Sequence, residues 1–317
     1  MAMPLTVVLP MRLDQMMPMD QVIHRSGWLF VVKVVLDADH IIAHPKYDLR
    51  CKPAQRKSNP VAPDRNNRLQ IPGAIPFGHK DYLLFAEDIT DYQPSFFPAD
   101  QLLTGTEQSA ATRAAAYCLV DSIGNYIDPS CIGITGSLAT GNALDNYSDI
   151  DLVLSQEHFD RLAASDFWQN DTALTLRTRE QWVDFYHHYG VLSQLSAEEF
   201  AEDAARKRKQ FVYCGIPVSI FTFSEQDKFL ALMDSCKEQG LLQPTTISGT
   251  VLFDASGTLP GYSILHTADR AQLLVNFHRT YQGSLKVGTA CTVKGFWSDS
   301  SSVLWVYYDD QCAIWAQ

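Results

Sequence analysis

The hydrophobic positions divide the chain into three stretches of different rhythm. Residues 27–50, GWLFVVKVVLDADHIIAHPKYDLR, carry two short β-branched runs split at Asp37-Ala38-Asp39, which predicts two strands and a tight connection. Residues 51–75 are rich in Pro, Asn, Arg and Lys and read as a surface loop. Short aromatic runs resume at 80–97. A β-rich N-terminal domain over 1–105 follows.

From Thr106 the period changes. EQSAATRAAAYCLVDSI repeats its apolar positions at helical spacing and stops at Gly124, a position suited to end a helix. CIGIT at 131–135 is a short strand that runs into Gly136-Ser137, and SDIDLVL at 148–154 is a second strand. Helices fit 156–166, 179–189 and 196–210. The last opens on Ser196 and Glu199, the spacing of a capping box. FVYC-GI-PVSIFTF at 211–223 reads as a hairpin, and Ser224 with Asp227 starts a helix that closes near Gly240. The unit 106–244 is therefore α+β or α/β. After it come SGTVLF, SILHTA, QLLVNFH, ACTVKGFW and SVLWVYY, punctuated by Gly261, Gly283, Gly288 and Gly295. That pattern predicts a small β-barrel or sandwich over 245–317.

Composition narrows the function classes. The chain has 317 residues, 46% of them hydrophobic, which suits folded domains and not a disordered polymer. No apolar run approaches the roughly 18 residues of a membrane helix, so no membrane partner is expected. Arg12, the first basic residue, follows the initial apolar run, the reverse of a signal peptide, and a cytoplasmic location is expected. Seven cysteines without a CxxC pair fit reduced thiols. A net charge of −11 disfavours a broad nucleic-acid surface and leaves room for a phosphorylated ligand held through metal ions.

The chemistry concentrates in GSLATGNALDNYSDIDLVL, Gly136 to Leu154. Residues i and i+2 of a strand share a face, so Asp149 and Asp151 point together while Ile150, Leu152 and Leu154 face a core. Two adjacent carboxylates repel unless a cation lies between them, and hard oxygen donors suit Mg²⁺ or Mn²⁺. A Gly-Ser turn after a strand admits a phosphate to the backbone and offers a hydroxyl. Either half alone is commonplace: Asp-x-Asp is usually a solvated strand end, and Gly-Ser usually a turn. The ordered combination is far more specific and has the parts that phosphoryl or nucleotidyl transfer needs.

This stretch resembles the nucleotidyltransferases of the DNA polymerase β superfamily, whose signature is a Gly-Ser pair followed by Asp-x-Asp. The matching residues are Gly136, Ser137, Gly141, Ser148, Asp149, Asp151 and Leu152. More loosely, the whole chain is similar to predicted archaeal-type nucleotidyltransferases with flanking β-rich domains. The pieces that match are GWLFVV, LSAEEFAEDAARKRKQFVYCGIP, ISGTVLFDAS and LLVNFHRTYQGSLKVG. The resemblance implies an α+β fold with a central polymerase-β-like domain, a mixed sheet with helices. It implies Gly136 and Ser137, with Ser148, on the phosphates of a nucleoside triphosphate, and Asp149 and Asp151 on Mg²⁺ or Mn²⁺. The family places a third carboxylate in the strand after a Gly-x-Pro turn. In Gly215-Ile216-Pro217-Val218-Ser219 that position holds Ser219.

The substitution at Ser219 leaves three readings open. Another acid, Asp184 or Asp254, could serve; one well-held metal could suffice; or the protein binds a nucleotide without transferring it. In the run Arg206–Lys209, Lys207 and Lys209 are expected on the triphosphate, or else the run is a solvated helix face closed by Glu202–Arg206 and Asp203–Lys207 pairs. His187-His188 reads as packing or surface, and His278-Arg279 as a surface pair at a strand end or a phosphate contact. Trp297, Trp305, Tyr307 and Tyr308 fill a β-core or stack on bases. The leading expectation is a metal-dependent nucleotidyltransferase that releases pyrophosphate. Its acceptor is expected to be a small molecule, peptide or protein before a nucleic acid, with a tRNA end still open. The rivals are a silent nucleotide-binding module and an RNA-binding protein.

Overall fold

The computed structural model describes residues 13–51, 70–77, 81–95, 109–139, 141, 143, 148–191, 193–223, 242–258, 260–298, 302–307 and 311–316. The expected helix from Ser224 to Gly240 lies outside the described residues, as do Tyr308 and most of the 51–75 loop. The fold is α+β. The chain divides into two compact units, Met1–Pro94 and Ser95–Gln317.

The first unit holds one six-stranded sheet. Its strands are β1 (Gln21–His24), β2 (Trp28–Val35), β3 (His40–Asp48), β4 (Ile75–Phe77), β5 (Asp81–Phe85) and β6 (Ile89–Gln93), in the order β4-β5-β3-β2-β1-β6. The β2–β3 hairpin is the pair that the split at 37–39 predicts. Val22, Phe30, Val32, Ile41, Tyr82 and Leu84 form its core.

The second unit carries two sheets in one compact body, so the expected boundary at 244/245 falls inside a strand. Helix α1 (Ala110–Ile123) precedes β7 (Gly133–Thr135) and a four-residue helix α2 (Gly136–Ala139). Then follow β8 (Ile150–Ser155), α3 (Gln156–Ala164), α4 (Phe167–Asn170), β9 (Leu174–Thr175), α5 (Arg179–Tyr189), α6 (Ala197–Lys207), β10 (Gln210–Tyr213) and β11 (Ile216–Phe223). The sheet order is β7-β8-β11-β10-β9, with β8 and β11 parallel and the other pairs antiparallel. Both sides of each capping box form: Ser196 and Glu199 bond reciprocally at the start of α6, and Thr178 and Gln181 do so at α5. Helix α6 stops at Lys207, short of the expected 210, because Arg208 takes the left-handed conformation and turns the chain into β10. Ile134, Ile150, Leu152, Leu154, Phe211, Val218 and Ile220 make the core on one face of the sheet.

The remaining strands are β12 (Leu242–Ala255), β13 (Gly261–His266), β14 (Ala271–Asn276), β15 (Ala290–Ser298), β16 (Val303–Val306) and β17 (Ala313–Ala316). The 14-residue β12 pairs with β15 through its first part and with β13 through its last part. Successive pairings β12-β13-β14-β16-β15 thus return to β12, a closed five-stranded barrel with β17 added on β15. Closure needs close backbone approach: a Cβ on Gly295 would lie 2.4 Å from the Trp305 carbonyl oxygen. Trp305 and Tyr307 are buried and stack with parallel rings, so they fill the β-core and offer no platform for bases.

Candidate active site

Strand β8 is flanked on both sides, and the register makes a polar row across four strands. Asp151 pairs with Thr135 of β7 and with Ser219 of β11, and Ser219 pairs with Gln210 of β10. Directly opposed residues share a face and sit about 5 Å apart. The row therefore lies on the face opposite the Ile150–Leu152–Leu154 core. The Gln210 side-chain amide donates to Ser219 Oγ at 3.4 Å. The hairpin turn at Cys214-Gly215, where both residues have positive φ, fixes this register.

Asp151 is buried at 5% exposure, whereas Asp149, just before the strand, is exposed. Ser148, next to Asp149 in sequence, is buried, and so is Ser137 in the turn after β7. Gly136 has φ +73°, and a Cβ there would lie 2.2 Å from Asp151 Oδ2. Only glycine lets the turn after β7 press against this carboxylate. The structure thus brings Gly136, Asp151 and Ser219 together.

The donors present fit a hard divalent ion. Two carboxylates two residues apart, with neutral hydroxyls on the neighbouring strands, are oxygen ligands of the kind Mg²⁺ takes. Among the described residues no group of three or more His, Cys, Asp or Glu side chains is placed to hold a metal. Asp184 is exposed on α5. Asp254 Oδ1 accepts from the Ser256 amide and the Ser263 hydroxyl, both at 2.9 Å. The residue that the register sets beside Asp151 on β11 is Ser219.

The two lysines are tied to the barrel. Lys207 Nζ bonds the Thr280 carbonyl at 2.7 Å, Ser284 Oγ at 3.0 Å and the Asp203 carboxylate. Of the two helix pairs expected, Asp203–Lys207 forms, while Glu202 faces Arg179 and Arg206 turns to Asp203. Lys209 Nζ bonds Thr222 Oγ1 at 2.7 Å and the Gly257 carbonyl at 2.5 Å, and lies 5.0 Å from the Phe159 ring centre. Gln282 Nε2 bonds the same two oxygens. Burial, reinforced by the neighbouring Lys207 and Arg279 charges, pushes the Lys209 ammonium down to about 7. A phosphate would have to compete with these internal partners for either lysine.

Two further candidates resolve differently. His187 and His188 are exposed on α5. His278, expected at the surface, is fully buried and packs against Tyr281 at 4.5 Å with the rings tilted by 49°, because the chain turns inward after β14. Its neighbour Arg279 lies over the Phe221 ring at 4.4 Å. Phe221 follows Ser219 by two residues and shares its face. A cavity of about 310 Å³ opens here between α5, α6 and the barrel, with Gln210, Lys207, Lys209 and Arg279 in its wall. Sequence reasoning missed Thr135, Gln210 and Gln282. Gln210 was recoverable, since a two-residue turn at 214–215 pairs it with Ser219.

No family model, curated protein or solved structure matches the chain.

Proposed function

We propose that the protein is a metal-dependent nucleotidyltransferase of the polymerase β type. The observation that carries this reading is the contact between the Gly136 turn and the buried Asp151 carboxylate, with Asp149 two residues away. Gly136 and Ser137 bind the phosphates of a nucleoside triphosphate, and buried Ser148 braces the approach to Asp149. Asp149 and Asp151 hold Mg²⁺ or Mn²⁺. When bound, the ion neutralises the phosphates and stabilises the pyrophosphate leaving group. The acceptor oxygen bonds the α-phosphorus as the bond to the β-phosphate breaks. The acidic chain favours a small molecule, peptide or protein as acceptor.

A second reading has its own support. Ser219 stands beside Asp151 where the family pattern carries an acid, and a hydroxyl is a neutral, weak ligand. On this reading the pair alone binds the nucleotide and does not transfer it. Calorimetry with ATP, GTP, CTP and UTP, with and without Mg²⁺, tests what both readings share. Binding that requires the metal is expected; metal-independent binding, or none, sinks both. Pyrophosphate release then separates transfer from silent binding.

A further inference from the structure

We propose that the cavity between α5, α6 and the barrel is the acceptor site, and that it takes a small molecule joining a flat apolar ring to one anionic group. The acceptor role rests on the nucleotidyltransferase reading; the binding chemistry does not. At about 310 Å³ the cavity is the size of a small-ligand site. One wall is aromatic: Trp182 and Phe185 meet edge to face at 5.6 Å, and Phe185 stacks on Phe200 at 6.3 Å. The other wall carries Lys207, Lys209 and Arg279 against a single acid among its described residues, Asp203. Asp203 is already matched by Lys207 and Arg206. The wall is thus positive inside a protein of net charge −11, which selects an anion over the surrounding surface.

Position supplies the link to chemistry. Gln210 lines the cavity and lies two strands from Asp151, about 10 Å across the sheet. A ligand anchored at Arg279 with its ring against half-buried Phe185 directs its far end along the Gln210–Ser219 row to the Asp pair. The mixture of a ring-lined wall and converging cations is poorly suited to a bare phosphate or to an uncharged aromatic.

The test is calorimetry on the full chain without metal, using phenyl phosphate, benzoate, inorganic phosphate and phenol. One of the first two should bind at about millimolar Kd or tighter, about tenfold better than inorganic phosphate or phenol. Which of the two binds more tightly distinguishes a phosphate from a carboxylate ligand. Arg279→Gln, shown folded by its melt, should weaken it about fivefold and Arg279→Lys less. Binding should persist in Asp149→Asn/Asp151→Asn. Equal affinity for phenyl phosphate and inorganic phosphate, no binding of any probe, or indifference to Arg279→Gln overturns the ligand class. Displacement of the probe by metal-free ATP makes the cavity part of the nucleotide's own site and overturns the acceptor role. If probes bind as expected but no Mg-nucleotide does, the cavity's ligand stands and its acceptor role falls with the parent reading.

Discussion

Ser219 is the register partner of Asp151, one strand away on the same face. Ser219→Asp therefore places a third carboxylate beside the pair at a site 6% exposed. Like charges and burial both raise the new group's pKa above its unfolded value. Such a group lowers stability as pH rises from about 4 through its folded pKa. The metal-free variant should melt below the parent at pH 7, by about 1–3 kcal/mol, and approach it near pH 4. Mg²⁺ should raise its melting temperature more than the parent's. An unchanged Mg²⁺ response would show that Ser219 does not face the metal site. Pyrophosphate release that rises in Ser219→Asp marks the natural protein as a silent binder.

Gly136 and Asp151 constrain each other. Gly136→Ala puts a methyl into the Asp151 carboxylate and forces alanine to positive φ. The expected cost is about 2–4 kcal/mol. Asp151→Ala removes the obstructing oxygens. In the double variant the backbone cost remains and the clash goes, so the combined loss should fall short of the sum by about 1 kcal/mol or more. Denaturant melts of the four proteins measure it. Strict additivity would mean that the turn does not press on this carboxylate.

Much of this site could be read in the sequence because its parts are local. The strand and the Gly-Ser turn follow in order, and the i, i+2 rule sets Asp151 on the face opposite Leu152, while Asp149 falls just before β8 and is exposed. The Ser196–Glu199 capping box is a four-residue code, and it forms as expected. What escaped depends on distant segments meeting. Lys209 and Gln282 meet from distant segments on the same two acceptors, Thr222 and the Gly257 carbonyl, and nothing in the run Arg206–Lys209 marks Arg206, Lys207 and Lys209 as tethers to the barrel. His278 reads as polar and exposed, yet a turn after β14 carries it inside. Strands β1, β9 and β17 have four, two and four residues, too short for a period to show.

Asp149 and Asp151 differ in surroundings, and their amide variants should differ as well. Asp149 is exposed, so Asp149→Asn should change metal-free stability by no more than about 0.5 kcal/mol. Asp149→Asn together with Asp151→Asn should leave the fold intact or slightly more stable, since it removes two like charges held together. Both changes should abolish the Mg²⁺-dependent gain in melting temperature that a nucleotide confers. Thermal melts with and without Mg-ATP report all three quantities. A large metal-free loss in the double variant would make the carboxylates structural and not the ligands of a cation.

Lys209 offers a test through pH. Its ammonium is held at about 7, first by burial and then by Lys207 and Arg279; exposed Asp160 on α3 opposes them. Phe159 packs against it, and Thr222 and the Gly257 carbonyl accept from it. The unfolded lysine titrates near 10.4. A folded pKa below the unfolded one means that the unfolded chain holds more protons between pH 7 and 10, so this group's penalty shrinks as pH rises through that window. Below pH 7 both states are protonated and the penalty is complete. Lys209→Met removes the titration, and Gln282 still donates to both oxygens that Lys209 served. Relative to this variant, the parent should gain stability from pH 7 to 10. Because the side chain keeps some exposure, solvent screening reduces the nominal effect, and about 1–2 kcal/mol is expected. Parallel melts of the two proteins at constant ionic strength measure the difference. If the two curves stay parallel from pH 6 to 10, burial does not depress Lys209, and its ammonium keeps its full charge at neutral pH.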